Sequence, residues 1–171
     1  SCPSHEHFHI FTSIQKLFVG ALQEQVQHWM RGILTSEAFI SILSSALEVD
    51  EDNLFKEFVS SCQTMEFALP TIRETIHELR ACGILVFVAT DNMDSFVRWT
   101  APAMKLENVF NGILSSSEIG YLKSDIDSNG NSLFFQRFFM EFDIIPESCT
   151  LFDDNNTSLN DMNFRLISSP A

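Results

Sequence analysis

The segment Ile84-Leu-Val-Phe-Val-Ala-Thr90 constrains the fold most, because it is a nearly continuous apolar run of strand length. Such runs are typical of parallel strands that are buried on both faces of a sheet. Further elements alternate along the chain: strands at 109–114, 148–152 and 164–168, and helices at 70–82, 94–106 (broken or kinked at Pro102), 133–142 and 157–162. This alternation predicts an α/β fold with right-handed crossovers and a Rossmann-like parallel sheet.

The first 67 residues follow a different pattern. The sequence His-Phe-His-Ile-Phe-Thr at 7–12 predicts a short strand, after which apolar residues recur at helical spacing. The predicted helices are 14–30, 36–47 and 50–62, with no strand between them. We therefore predict one globular unit, in which residues 1–13 and 68–171 form the α/β core and residues 14–67 form a small helical insertion after the first strand.

The net charge and the cysteine spacing limit the partners and the cellular location that we expect for this protein. Lys and Arg number 10 against 23 Asp and Glu, which gives a formal net charge of -13. This charge repels nucleic acids and anionic membrane surfaces, so we expect neither as a partner. All apolar runs are shorter than the ~18–20 residues that cross a bilayer, and the cysteines form no C-x-x-C pair. We expect reduced core cysteines and a cytoplasmic protein, and we leave the oligomeric state open.

Polar residues follow several of the predicted strands. Thr90 and Asp91 end one strand, Lys123 lies in the loop after the next, and Asp153 and Asp154 follow a third. Ligands of open parallel sheets bind at these carboxyl ends, where a hydroxyl, an ammonium and a carboxylate pair suit a phosphate beside a divalent cation. The alternatives are a helix cap for Asp153 or Thr90, and a surface lysine or an ion pair with Asp153 for Lys123.

The order of these segments resembles motifs II, III and IV of the haloacid dehalogenase-like (HAD) superfamily. The segments are strand-Thr90, then Ser117-Glu-Ile-Gly-Tyr-Leu-Lys123-Ser-Asp, then Leu151-Phe-Asp153-Asp154-Asn. The resemblance covers residues 68–168 and is strongest for phosphatase-type members with a small helical cap, which residues 14–66 resemble. Ser124 stands where many members have proline.

The resemblance implies a role for each of these polar residues. The Thr90 hydroxyl, with the adjacent Asp91, would hold the phosphate of a small phosphorylated ligand. Lys123 would neutralise that phosphate and position the nucleophile. Asp153, together with Asp154, would anchor Mg²⁺.

The first HAD motif is missing from the sequence. Active members carry Asp-x-Asp on the first strand, where one aspartate attacks phosphorus and the other transfers a proton. Alignment of residues 10–18 with this motif places Thr12 and Ile14 at the two aspartates, and no acid occurs between Glu6 and Glu24. The sequence predicts a pseudoenzyme that binds a phosphorylated ligand or has a regulatory role, with Mg²⁺ weakly bound or absent. The alternative is an active Mg²⁺-dependent hydrolase whose nucleophile lies elsewhere.

His5, His7 and His9 alternate near the start of the sequence. On a strand they would share one face and could form a metal cluster. The other interpretation is a frayed terminus or a cloning remnant.

Overall fold

The computed structural model describes residues 8–153 and 165–168, with side chains from residue 12 to residue 153. Over these ranges the chain is mixed α/β, with helices in its first part and parallel strand pairs in its second. No helix in this part of the chain is long and apolar enough to cross a bilayer. The combination of helices and parallel strand pairs confirms the predicted α/β class in its general form.

The first part of the chain forms a helical unit, which we define as helices α1–α4. Its helices are Phe8–Val19 (α1), Gln23–Met30 (α2), Ser36–Leu47 (α3) and Glu51–Gln63 (α4). Thr35 and Asp50 begin α3 and α4, because each side chain accepts a hydrogen bond from a backbone amide of the first turn. The bounds of α3 and α4 agree with the sequence prediction to within one residue.

Trp29 and Phe39 form the centre of the helical unit. Their rings stack with centroids 4.1 Å apart, and both side chains are almost fully buried. Other buried residues of this core are Leu22, Ile40 and Leu43. Aromatic pairs of this kind stabilise a core beyond the area that they bury.

The strand predicted at 7–12 is wrong where the structure describes it, because residues 8–12 lie in α1. The alternating pattern there is short, whereas Phe11, Ile14 and Phe18 recur at helical spacing. Ile14 and Phe18 pack against the Trp29 core. Burial of an apolar helix face decides the outcome, since most helical stability in proteins comes from such packing. A turn at residues 20–22 also divides the predicted 14–30 helix into α1 and α2.

The second part of the chain alternates helices and strands. Its helices are Ile72–Ala81 (α5), Ala101–Ala103 (α6), Leu106–Val109 (α7), Ser116–Ile119 (α8) and Leu133–Phe142 (α9), and its strands are Phe87–Thr90 (β1), Gly112–Ser115 (β2), Thr150–Asp153 (β3) and Arg165–Ser168 (β4). Pro102, where a break or kink was predicted, lies inside α6, which directly follows a π-helical turn at Phe96–Thr100 and ends at Ala103. The helix predicted at 157–162 lies outside the described residues.

The described strands form two parallel pairs rather than one continuous sheet. β1 pairs with β2, so that Thr90 lies opposite Ser115, and β3 pairs with β4. Helix α9 connects the pairs through Phe134 and Phe135, against which Ala89, Leu114 and Leu151 pack. β1, β2 and β3 therefore all contact the same apolar helix.

Cysteine burial departs from the sequence prediction. Cys62, Cys82 and Cys149 are all free thiols, as expected. Cys62 is buried, but Cys82 is exposed at the end of α5. Helix α5, whose apolar spacing suggested a core position, ends at Ala81, so Cys82 lies just beyond the helix.

The end of α2 approaches the end of β2 closely. Gly32 has a φ of +68°, and a Cβ at this position would lie 2.1 Å from the backbone oxygen of Ser117. Nearby, the Ser116 hydroxyl donates to the backbone oxygen of Met30 at 2.6 Å. This close approach joins the helical unit to the α/β part, and only glycine fits it.

We predict that Gly32→Ala destabilises the protein more than Gly83→Ala does. Gly83 also has a left-handed φ, of +80°, but a Cβ there would meet nothing within 4 Å. Both substitutions therefore carry the left-handed backbone cost of about 1–2 kcal/mol, and only Gly32→Ala adds a steric clash. Urea unfolding of the two variants measures the difference, and equal losses would contradict the close approach.

Candidate functional site

Asp91, Lys123 and Asp153 meet at the carboxyl ends of β1 and β3. The backbone amide of Lys123 donates to Oδ1 of Asp91 at 2.8 Å. Its Nζ donates to Oδ2 of Asp153, with which it also forms a salt bridge. The Lys123 and Asp153 side chains are only 17% and 5% exposed, so this charged pair is largely removed from water. The structure thus brings together three of the residues predicted for the site, and it realises the predicted ion pair.

The surroundings of Asp91 disfavour the ionised form of its carboxyl group. Burial raises the pKa of Asp91 above its ordinary value, and the nearby Asp153 and Asp125 carboxylates also raise it. The hydrogen bond from the Lys123 amide and the Lys123 charge act in the opposite direction. Perturbed carboxyl groups of this kind cluster at functional sites, although ion-pair networks also produce them.

Thr90 and the residues that follow it line the same rim. Thr90 is half-buried as the last residue of β1 and precedes Asp91. The backbone amide of Asn92 donates to the Ser116 hydroxyl at 2.9 Å, which ties the loop after β1 to the end of β2. Asp154 lies outside the described residues, so its predicted role as a metal ligand stays a prediction.

Thr12 and Ile14 do not lie on a strand. Both belong to α1, which contacts α2 and α3, and Ile14 packs against the core of the helical unit. Their alignment with the two HAD aspartates depended on a first strand at 7–12. That alignment therefore loses its structural basis.

The predicted histidine cluster also stays a prediction. His5, His7 and the side chain of His9 lie outside what the structure describes. Among the described side chains, no group of three or more His, Cys, Asp or Glu residues is placed to hold a metal ion.

Arg31 and Asp125 join this site, and sequence reasoning missed both as site residues. Arg31 follows α2, and its guanidinium donates through Nη1 and Nη2 to both carboxylate oxygens of Asp125. Asp125 lies two residues after Lys123, within the motif III segment. The Arg31 hydrogen bonds hold the pKa of Asp125 below its ordinary value. The arrangement connects the helical unit to the Lys123 loop.

A second polar network connects the helical unit to the segment after β1. Asp94 accepts hydrogen bonds from Trp29 Nε1 at 2.8 Å and from the Ser36 hydroxyl at 2.6 Å. Arg98 binds both Asp94 and Glu37, and it lies over the Trp99 ring. The hydrogen bond from Arg98 lowers the pKa of Glu37. This network lies next to the helical core rather than at Lys123.

Two comparisons with known proteins give no match. A scan against models of protein families finds no match, and a search of curated proteins finds no significant match. The functional inference therefore rests on the geometry of the site and on the motif resemblance.

We predict that Asp125→Asn reduces the acid sensitivity of the fold. The pKa of Asp125 is lowered on folding, so its contribution to stability is complete above the unfolded value of 3.8 and is lost as pH falls through the folded value. The free energy of unfolding should fall less for Asp125→Asn than for the native chain between about pH 5 and pH 2. Urea unfolding at a series of pH values measures these slopes.

Glu66→Gln is the control for this experiment, because Glu66 is exposed in the loop after α4. The control should retain the native pH dependence. An Asp125→Asn slope equal to the native slope would contradict a stabilising Arg31–Asp125 pair in the folded protein.

Proposed function

We propose that this chain has a HAD-like core that binds a small phosphorylated ligand beside a divalent cation, without hydrolysing it. The observation that carries this proposal is Lys123, held between the carboxylates of Asp91 and Asp153 at the ends of two parallel strands. Ligands of parallel sheets bind at this edge, and a lysine ammonium is a common phosphate-binding group. Its position matches the role that the motif resemblance implies.

The charge balance of the site requires a cation for phosphate binding. The connected side chains comprise three carboxylates, Asp91, Asp125 and Asp153, against two cations, Arg31 and Lys123. With all five ionised the sum is negative by one charge, which repels a phosphate dianion. A divalent cation reverses this sign.

The carboxylate oxygens of the site are of the type that Mg²⁺ prefers. This ion usually takes one or two protein carboxylates, several waters and phosphate oxygens, so a dedicated cluster of three acids is not required. Asp153 is the first ligand in this proposal, and Asp154 is the second. Since one oxygen of Asp153 already binds Lys123, we expect weak Mg²⁺ affinity in the absence of phosphate.

The hydrogen bonds of the site support binding rather than covalent catalysis. Asp91 accepts from the Lys123 amide, Asp153 from its ammonium, and Asp125 from Arg31. Each carboxylate thus orients Lys123 or its loop, whereas a nucleophile needs an oxygen directed at phosphorus. A binding or regulatory module is the function that these contacts favour.

The division of the strands into two pairs favours a second candidate, an active Mg²⁺-dependent phosphatase of small metabolites. β1 and β3 both pack against Phe134 and Phe135 of α9, and the carboxylates at their ends bind Lys123, yet each strand pairs with a different strand. One further strand between them would place them about 10 Å apart, twice the spacing of neighbouring strands, and the long lysine side chain can bridge such a distance. A strand at this position could carry the nucleophilic aspartate.

We predict that the native chain binds inorganic phosphate when Mg²⁺ is present and that Lys123→Met weakens this binding about tenfold or more. A hydrogen bond to a charged group contributes roughly 1.5–3 kcal/mol, and about 1.4 kcal/mol corresponds to a tenfold change in affinity. Isothermal titration calorimetry measures the affinity. Lys56→Met, at an exposed position on α4, is the matched control and should bind phosphate normally.

Thermal unfolding of Lys123→Met must accompany the titration, because the substitution leaves Asp153 buried without this lysine. A folded variant that binds phosphate as tightly as the native chain would contradict the proposal. Hydrolysis of an aryl phosphate distinguishes the two candidates: Mg²⁺-dependent turnover that Asp153→Ala abolishes would support the phosphatase and refute the non-hydrolytic module.

A further inference from the structure

We propose that Arg31 is a positioning residue for the phosphate site, since its two hydrogen bonds to Asp125 hold the loop that carries Lys123. The inference rests on the proposed function and deepens it. Arg31 belongs to the helical unit, whereas Lys123 lies in the α/β part. The affinity of the site for phosphate would then depend on the position of the helical unit relative to the α/β part.

The contact between Arg31 and Asp125 is well suited to fix a loop. Both guanidinium nitrogens Nη1 and Nη2 bind the carboxylate, one oxygen each, with Nη2 3.0 Å from Oδ1. Such two-point contacts restrict orientation as well as distance. The two side chains are about one quarter exposed, so water weakens the pair only in part.

Asp125 transmits this restraint to Lys123 through the backbone. Its Oδ2 accepts a hydrogen bond from the backbone amide of Leu122 at 2.9 Å, and its own amide donates to the backbone oxygen of Leu122 at 3.0 Å. Its backbone oxygen accepts from the amide of Leu133 at 2.9 Å, at the start of α9. These bonds close a tight turn in which Lys123 is the second residue. The turn directs the Lys123 amide to Asp91 and its ammonium to Asp153.

Arg31 also carries one of the two positive charges of the site. Asp91 and Asp125 both act electrostatically on Arg31. Removal of Arg31 changes the sum of the five side-chain charges from -1 to -2, which further repels phosphate. Position and charge therefore act in the same direction.

Arg98 provides a matched control. It also links the helical unit to the α/β part, through Glu37 and Asp94, and its side chain is 41% exposed. Its partners lie in the second polar network and not in the turn that contains Lys123. Arg98→Ala therefore removes an arginine contact between the same two parts of the chain while leaving the Lys123 turn intact.

The experiment measures phosphate affinity in the presence of Mg²⁺, together with hydrogen exchange at the Lys123 amide. Arg31→Ala should weaken phosphate binding about tenfold, as loss of an outer supporting partner commonly does, and should speed exchange of this amide. Arg98→Ala should change both by less than about twofold, although it lowers the thermal midpoint.

The outcomes separate this inference from the proposed function. If Lys123→Met abolishes phosphate binding while Arg31→Ala leaves affinity and amide exchange unchanged, Arg31 is not a positioning residue and the proposed function stands. If the native chain does not bind phosphate at all, the proposed function fails and this inference fails with it. Equal effects of Arg31→Ala and Arg98→Ala on Lys123 exchange would show general loosening and would also overturn the inference.

Discussion

The rest of the site depends on Lys123, whose backbone amide binds Asp91 and whose ammonium binds Asp153. β1 and β3 belong to different strand pairs, so no ladder of backbone hydrogen bonds between them sets their relative position. That position is set by α9, which packs against both, and by Lys123, which binds the carboxylates that end them. Burial makes each of these charges costly if its partner is removed.

The helical unit is joined to the α/β part by three different kinds of contact. Gly32 allows its backbone to approach the backbone of Ser117. Asp94 accepts hydrogen bonds from Trp29 and Ser36, and Arg31 forms a salt bridge with Asp125. The first contact requires the absence of a side chain, and the other two require buried or half-buried charge with its hydrogen bonds satisfied. Together they place the end of α2 beside the site. The helical unit thus contributes the charged residue Arg31 to the group of side chains at the rim.

Much of the local structure could be predicted from the sequence, because it depends on short-range patterns. The bounds of α3, α4 and α9 follow from apolar spacing and from the capping residues Thr35, Asp50 and Ser132. The strand before Thr90 was predictable only in part, because β1 begins at Phe87, is half-buried, and follows the exposed Ile84 and Leu85. The ion pair between Lys123 and Asp153 was predictable from the ends of parallel strands. The helical conformation of residues 8–12 could not be predicted, because five alternating residues are too few to distinguish a strand from a helix. The distinction depends on which face packs against the neighbouring helices.

The sequence by itself determined helices α3, α4 and α9, the parallel direction of the strands and the residues at their carboxyl ends, since each depends on periodicity or on chain direction. Only the tertiary structure decided that residues 8–12 are helical, that the described strands form two pairs, and that Arg31 and Asp125 belong to the site. Arg31 and Asp125 are 94 positions apart in the chain, and no local pattern relates them. Their contact arises because Gly32 lets α2 approach the end of β2, which is a property of the packed molecule.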